Sequence, residues 1–213
     1  MRGKFISLEG GEGSGKSTAM ANIQNWLESQ HIDYVMTREP GGTPLAEDIR
    51  NLVLSPREEI VDDMAELLMM FAARSQHISQ KIEPALAQGT WVISDRFIDS
   101  TYVYQGIARG GDIAILDHLT QWVVGNCQTD ATLLLDVPVE IGQKRVQQRK
   151  HSDRLDKESH LFHEKVRQGF LDRAHQNPQR IKLIDASQSL ESVKQQIQQQ
   201  LKALQLSWSK SEK

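Results

Sequence analysis

The feature that most constrains this chain is Gly10-Gly11-Glu12-Gly13-Ser14-Gly15-Lys16-Ser17, a complete G-x-x-x-x-G-K-[ST] run. It stands between a short apolar stretch, Phe5-Ile6-Ser7-Leu8, and a segment of helical periodicity from Met20 to Ser29. Glycine lets successive backbone N–H groups converge on an anion where a Cβ would collide. The helix that follows adds its positive N-terminal end. A strand, this loop and a helix predict a site for a nucleoside triphosphate held by residues 10–18, with Lys16 on the terminal phosphates and the Ser17 hydroxyl on Mg²⁺.

The rest of the chain repeats the alternation. Tyr34–Met36, Trp91–Ser94, Thr132–Leu135 and Ile181–Ile184 have strand length and composition. Between them, Leu45–Leu54, Met64–Leu86, Ile113–Val124, Ile141–Gln148 and His160–His175 carry helical spacing. Val193, Ile197, Leu201 and Leu204 make one face of a final helix, with residues 207–213 expected to fray. Strands separated by helix-length segments predict α/β architecture: a five-stranded parallel sheet with helices on both faces. At 213 residues this is a single domain spanning 1–213. Ligands of such sheets sit beyond the carboxyl ends of the strands.

Composition removes several alternatives. A net charge of −3 gives no global basic field for nucleic acid or anionic lipid. One cysteine, Cys127, excludes a disulfide framework and a Cys-based zinc site, and fits a reducing cytoplasm. There is no run of 18 apolar residues, and the apolar stretch before Glu9 is too short for a signal peptide. The chain has neither a late Asn/Thr-Lys-x-Asp base-reading motif nor a Leu-Ser-Gly-Gly-Gln signature, which leaves a small kinase or a nucleotide-gated binding protein. His160 and His163 are expected as a surface pair with no acid completing a ligand set, and Trp91 and Trp122 as core.

Two further motifs follow strands at the ligand edge. Thr37-Arg38-Glu39-Pro40-Gly41-Gly42-Thr43 comes after the second strand, and Asp95-Arg96-Phe97 leads into Thr101-Tyr102-Val103-Tyr104-Gln105-Gly106 after the third. Together with the phosphate loop, and from Phe5 to Ser187, the chain resembles bacterial thymidylate kinases of the nucleoside monophosphate kinase group. The resemblance implies transfer of the γ-phosphoryl of Mg·ATP to dTMP in a cytoplasmic homodimer that binds neither nucleic acid nor membrane. A kinase for another nucleoside monophosphate and an ATP-gated switch protein are the alternatives.

Site residues are carried over from that resemblance. Arg96 corresponds to the arginine that clamps the acceptor and transferring phosphates, and Asp95 to an acid that holds Mg²⁺ through water. Asp136, which also ends an apolar strand, fits the same bare rule. Arg74 corresponds to the arginine reading the thymine carbonyl edge. The aromatic residue usually four positions earlier is replaced by Met70 beside Phe71, and either lies on the helical face of Arg74. Arg38, Glu39, Pro40 and Arg50 belong to the acceptor side. Thr101, Tyr104, Gln105 and Glu12 are expected at its base and sugar. Residues 144–158 begin as a basic run and are expected to form a lid. Some relatives carry a basic residue at the position of Gly13. Its absence here resembles the class that supplies the arginine from the lid, for which Arg149 and Arg154 are the candidates, with Arg145 over the adenine.

Overall fold

The computed structural model describes residues 1–148 and 158–211. Five strands among them, β1 (Phe5–Glu9), β2 (Tyr34–Arg38), β3 (Trp91–Asp95), β4 (Ala131–Asp136) and β5 (Ile181–Asp185), form one parallel sheet in the order β2-β3-β1-β4-β5. The register sets Leu8 of β1 opposite Asp95 and Leu133, and Arg38 opposite Asp95. Glu9, Arg38, Asp95 and Asp136 therefore share the carboxyl edge, where the chain was expected to do its chemistry.

Alternation along β1 explains both layers. Ile6 and Leu8 pack with Ile23 and Leu27 of α1 (Lys16–Ser29) and Ile197 and Leu201 of α9 (Leu190–Ser211). Phe5 faces the other side, against Phe71 of α3 (Asp63–His77) and Leu116 of α6 (Ile113–Val123). Burying each such side chain contributes ~2 kcal/mol. Ser7 and Glu9 lie on the Phe5 side and are fully buried, Ser7 Oγ resting 2.8 Å from Thr132 Oγ1.

Helix starts follow their caps. Thr43 caps α2 (Pro44–Leu54), which has proline in its first turn. Asp62 accepts from the amides of Met64 and Ala65 at the start of α3, and Ser159 from that of Phe162 at the start of α8 (His160–Gln176). The helix expected across Met64–Leu86 is interrupted: a π-helical turn, Ile78–Ile82, joins α3 to α4 (Glu83–Ala87). Pro84 supplies no amide to a regular ladder, and the Glu83 amide reaches back to the Ile78 carbonyl instead. A second π-helical segment, Tyr102–Ala108, follows the short α5 (Ile98–Thr101), where no apolar periodicity marked a helix.

Two expectations fail here. The tail does not fray at residue 207: α9 runs to Ser211, because the Trp208 ring meets Trp91 edge-on at 5.4 Å and takes the Lys4 ammonium at 5.3 Å. Residues 212–213 lie outside the described residues. Trp91 is half-buried against the core, but Trp122 is 81% exposed near the end of α6, whose inward face is occupied by Leu116 and Leu119.

Candidate active site

The phosphate loop links β1 to α1, and its geometry leaves it open toward a ligand. Lys16 Nζ donates to the Gly10 and Gly11 carbonyls at 3.0 and 3.3 Å. Burial, reinforced by the nearby Arg96 charge, lowers the Lys16 pKa to about 8. Ser17 and Thr18 are exposed at the start of α1. The Ser14 hydroxyl is buried and has no hydrogen-bond partner among the described residues. Gly13 has φ +71°, and a Cβ there would sit 2.1 Å from the Gly142 carbonyl oxygen of α7 (Val139–Gln147). That contact gives a physical reason for the missing basic residue: no side chain fits between loop and helix. From α7, Arg145 bridges the Gly13 carbonyl (3.3 Å) and the Ala186 carbonyl after β5 (3.1 Å). Arg149 and Arg154, with most of the expected lid, lie outside the described residues.

The two acids that sequence left equivalent differ in their surroundings. Asp136 is held by Arg167 through two hydrogen bonds, of 2.8 and 3.0 Å. Asp95 Oδ1 is buried with no hydrogen-bond partner among the described residues. A buried, unpartnered carboxylate oxygen beside a triphosphate loop is the hard oxygen donor that Mg²⁺ takes, directly or through water.

Arg96 sits between the phosphate loop and the residues Ser100 and Tyr104. It adopts φ +70°, rare for a side-chain-bearing residue. Its Nη1 donates to the Gly10 carbonyl (3.2 Å) and to Ser100 Oγ (3.0 Å), its Nη2 to Glu12 Oε1 (3.0 Å), and the guanidinium lies 4.9 Å from the centre of the Tyr104 ring. Glu9 fixes that turn from below. One of its oxygens accepts the Phe97 amide (2.8 Å), the other the Ser100 hydroxyl (2.5 Å). Burial, with Asp99 close by, pushes the Glu9 carboxyl up to about 7. Glu12 shifts the other way. Burial works to raise it, but the His163 hydrogen bond and the Arg96 and Lys16 charges outweigh burial and hold it down to about 2.

Glu12, Glu39, Pro40, Arg50, Met70, Arg96, Tyr104 and Gln105, eight of the expected acceptor residues, line one cavity that opens to solvent, together with Ser100, Glu66, Val53 and Leu54. Arg50 Nη1 donates to the Pro40 carbonyl at 2.7 Å, Tyr104 Oη to Glu12 at 2.7 Å, and Gln105 Nε2 to Glu66 at 2.9 Å. Tyr104 and Gln105 are consecutive, and the π-helical turn that carries them brings both to the cavity. The Met70/Phe71 alternative also resolves in space: Met70 lines the cavity, whereas Phe71 is 2% exposed in the core.

Three expected residues are elsewhere. Arg38 is exposed and paired with Glu47 at 2.9 Å, facing a separate surface hollow with Thr37, Gly42 and Lys81. Thr101 and Arg74 lie buried beneath the cavity lining. Arg74 Nε donates to Glu39 Oε2 at 2.7 Å and Nη2 to Thr101 Oγ1 at 2.9 Å, while Nη1 has no hydrogen-bond partner among the described residues. An arginine this enclosed, with a donor to spare, is set to meet an acceptor.

The residues that sequence reasoning missed are Glu9, Ser100, His77 and His163. Glu9 carried a signal, an acid ending an apolar strand. His77 carried another, three residues from Arg74 on the same helical face. The histidine expectation is corrected in both parts. His163 is 6% exposed, with Nδ1 3.5 Å from Glu12, because α8 crosses the phosphate loop. His160 is exposed but lies within 3.9 Å of Glu140 and 3.7 Å of Glu164.

The family model for thymidylate kinase matches residues 8–197. The chain is 68% identical over 208 residues to a thymidylate kinase of Marinomonas sp. (strain MWYL1), covering 98% of each chain. It is 48% identical to the thymidylate kinase of Alcanivorax borkumensis, covering 92% of this chain and 95% of that one. Among solved structures it is similar to thymidylate kinase from Ehrlichia chaffeensis, with a TM-score of 0.71 and 35% identity over 86% of this chain and 93% of that one.

Proposed function

The chain belongs to the thymidylate kinase family, and on that premise we propose how its residues divide the work of phosphorylating dTMP to dTDP with ATP. The γ-phosphoryl of ATP passes to a 5′-phosphate oxygen of dTMP. A P–O bond forms on the acceptor as the bond to ADP breaks. The acceptor is already an anion, so no strong general base is needed, and catalysis is positioning and charge stabilisation.

Residues 10–18 cradle the donor phosphates, with Lys16 on the β- and γ-phosphates and Arg145 over the adenine. Arg50 binds the acceptor phosphate. Arg96 clamps the two phosphates where they meet. The observation that carries this reading is that one guanidinium reaches both the Gly10 carbonyl of the phosphate loop and, outside that loop, Ser100 Oγ of the acceptor cavity. Arg74 reads a thymine carbonyl through its spare Nη1, Met70 supplies the apolar face toward the base, and Tyr104, Gln105 and Glu12 hold the sugar. Arg38 acts from the rim. Arg149 and Arg154 of the lid are assigned the transferring phosphoryl on the resemblance alone. Ser17 and, through water, Asp95 would hold Mg²⁺, which when bound would neutralise charge on the donor phosphates.

The chain works as a homodimer in the cytoplasm. In support, Leu52 of α2, Leu68 of α3 and Trp122 of α6 are exposed apolar side chains on helices of one layer. No helix of the described residues is long and apolar enough to cross a membrane. Light scattering should return about twice the 24.1 kDa chain mass, and a monomer at assay concentrations would remove the dimer. The function itself is tested by coupled ADP release with dTMP, dUMP, dCMP and AMP. Turnover is expected to be highest with dTMP. ATP hydrolysis indifferent to every acceptor would overturn the assignment.

A further inference from the structure

We propose that His77 is the positioning residue that joins the Thr37–Thr43 loop to Arg74, and thereby sets the preference for an acceptor base bearing a carbonyl over one bearing an amine at the edge Arg74 reads. The proposal rests on the reading of Arg74 given above.

His77 is fully buried at the end of α3, three residues beyond Arg74 on the same helical face. Its ring touches the loop at three places. Nδ1 lies 3.0 Å from Glu39 Oε1, and Nε2 lies 2.7 Å from Thr37 Oγ1. The third contact is Gly42, at φ +92°, where a Cβ would stand 2.4 Å from Nε2. Glycine is required there because the imidazole occupies the space a side chain would need. With Nδ1–H donated to a carboxylate oxygen, Nε2 is left to accept the Thr37 hydroxyl, and the ring has one orientation.

What His77 holds is Glu39, and Glu39 divides its two oxygens between His77 and Arg74 Nε (2.7 Å). The guanidinium is further fixed by Thr101 Oγ1 at 2.9 Å and lies 5.2 and 5.4 Å from the Phe71 and Phe97 ring centres. Its direction is thus set by groups that are themselves held, down to the single Nη1 without a hydrogen-bond partner among the described residues. An arginine N–H is a donor only. Against a carbonyl oxygen it completes a hydrogen bond, and against an exocyclic amine two donors meet. A site built to hydrogen-bond one group discriminates strongly only while the polar atom stays in place. Loss of the imidazole frees Glu39 Oε1, and the carboxylate that anchors Arg74 Nε then swings. The same loss removes the surface on which Gly42 rests.

The test uses the full chain and its His77→Leu, His77→Asn and Thr37→Val variants. The readouts are kcat and KM for dTMP and dCMP at saturating ATP, KM for ATP at saturating dTMP, and Tm. His77→Leu is expected to raise KM for dTMP about tenfold to a hundredfold and to lower the dTMP:dCMP ratio of kcat/KM about tenfold, with KM for ATP within about twofold. His77→Asn, which keeps a donor near the Nδ1 position, should recover most of the ratio, and Thr37→Val should shift it less in the same direction. A folded His77→Leu with an unchanged ratio overturns the proposal. So does an equal fall for both acceptors with KM for ATP also raised, the mark of a purely structural role. Should His77→Leu not fold, the ratio in Thr37→Val decides by the same criteria. Arg74→Lys separates the two layers. If it keeps the ratio, the reading of Arg74 is wrong; if it loses the ratio while His77→Leu does not, only the role of His77 falls.

Discussion

The phosphate loop and the acceptor cavity meet at Arg96, yet they are made of different materials. The loop is one contiguous stretch whose working groups are main-chain amides, completed by a lysine and a hydroxyl from the helix it opens into. The cavity is assembled from side chains of the loops that follow β2 and β3, of α2, α3, α5 and of the π-helical turn after it, some of them held by partners as far as 92 residues away in sequence. A contiguous loop tolerates change in its surroundings as long as its own backbone dihedrals survive. A cavity of interlocked side chains transmits any loss to the next partner. The proposed donor site is specified by local geometry, the proposed acceptor site by a chain of buried hydrogen bonds.

That contrast predicts effects of different size and kind. The largest belong to the shared centre. Lys16→Ala and Arg96→Ala are each expected to lower kcat by a factor on the order of 10³, ~4 kcal/mol, because each removes a charge from the transferring phosphoryl with no neighbour able to replace it. They should differ in what else they disturb. Lys16→Ala leaves the Thr37–Thr43 loop untouched, so dTMP binding by calorimetry stays near wild type, whereas Arg96→Ala weakens both nucleotides. Equal losses of dTMP affinity in the two variants would break the division between the sites. Intermediate in size is the expected effect at His77, which appears in KM and selectivity rather than in kcat.

Two remaining effects concern stability and leave turnover aside. Glu9 and Glu12 stand three residues apart at the mouth of the loop, with carboxyl pKa values displaced in opposite directions. For Glu12, held down to about 2 against an ordinary 4.5, the unfolded chain binds the extra proton, so its contribution of ~3 kcal/mol is present above pH 4.5 and lost as pH falls toward 2. For Glu9, raised to about 7, the folded chain binds the extra proton, so stability declines as pH rises from 4.5 to 7 and levels off above. Urea midpoints measured across pH 2–8 should show Glu12→Gln flattening the acid limb and Glu9→Gln removing the decline toward neutrality. A Glu12→Gln protein with the wild-type acid limb would show that the contacts of Glu12 with Arg96, Tyr104 and His163 do not store that energy.

Much of this molecule was readable before any coordinates. The five strands announced themselves as short apolar runs, and the loop that follows the first carries its chemistry in its own letters. The acceptor residues were legible only through resemblance, and unevenly. Periodicity placed Met70 and Phe71 on one helix, but the choice of which faces the cavity belongs to the packing of α3 against Phe5 and Leu116. The segment 98–108 gave no helical signal, because its buried apolar residues Ile98, Val103, Tyr104 and Ala108 fall off a 3.6-residue spacing and enter two different core clusters, while Asp99, Ser100, Thr101 and Gln105 between them serve hydrogen bonds. Trp122 misled because an aromatic side chain predicts contact without saying with what. His163 misled because its partner, Glu12, is 151 residues distant, beyond the reach of any local pattern.

Sequence by itself determined the strand-loop-helix unit proposed to bind phosphate, the parallel sheet and the carboxyl edge that carries the candidate site. These depend on interactions within a few residues, where spacing is a direct record of geometry. Only the tertiary structure decided which of the two acids, Asp95 or Asp136, keeps an oxygen without a hydrogen-bond partner among the described residues, that Arg74 is buried with Nη1 likewise unpartnered among them, and that a single imidazole joins Thr37, Glu39 and Gly42. Those outcomes depend on which side chains meet across the fold once water is excluded. There, the cost of an unpaired polar group, rather than local propensity, chooses the partners.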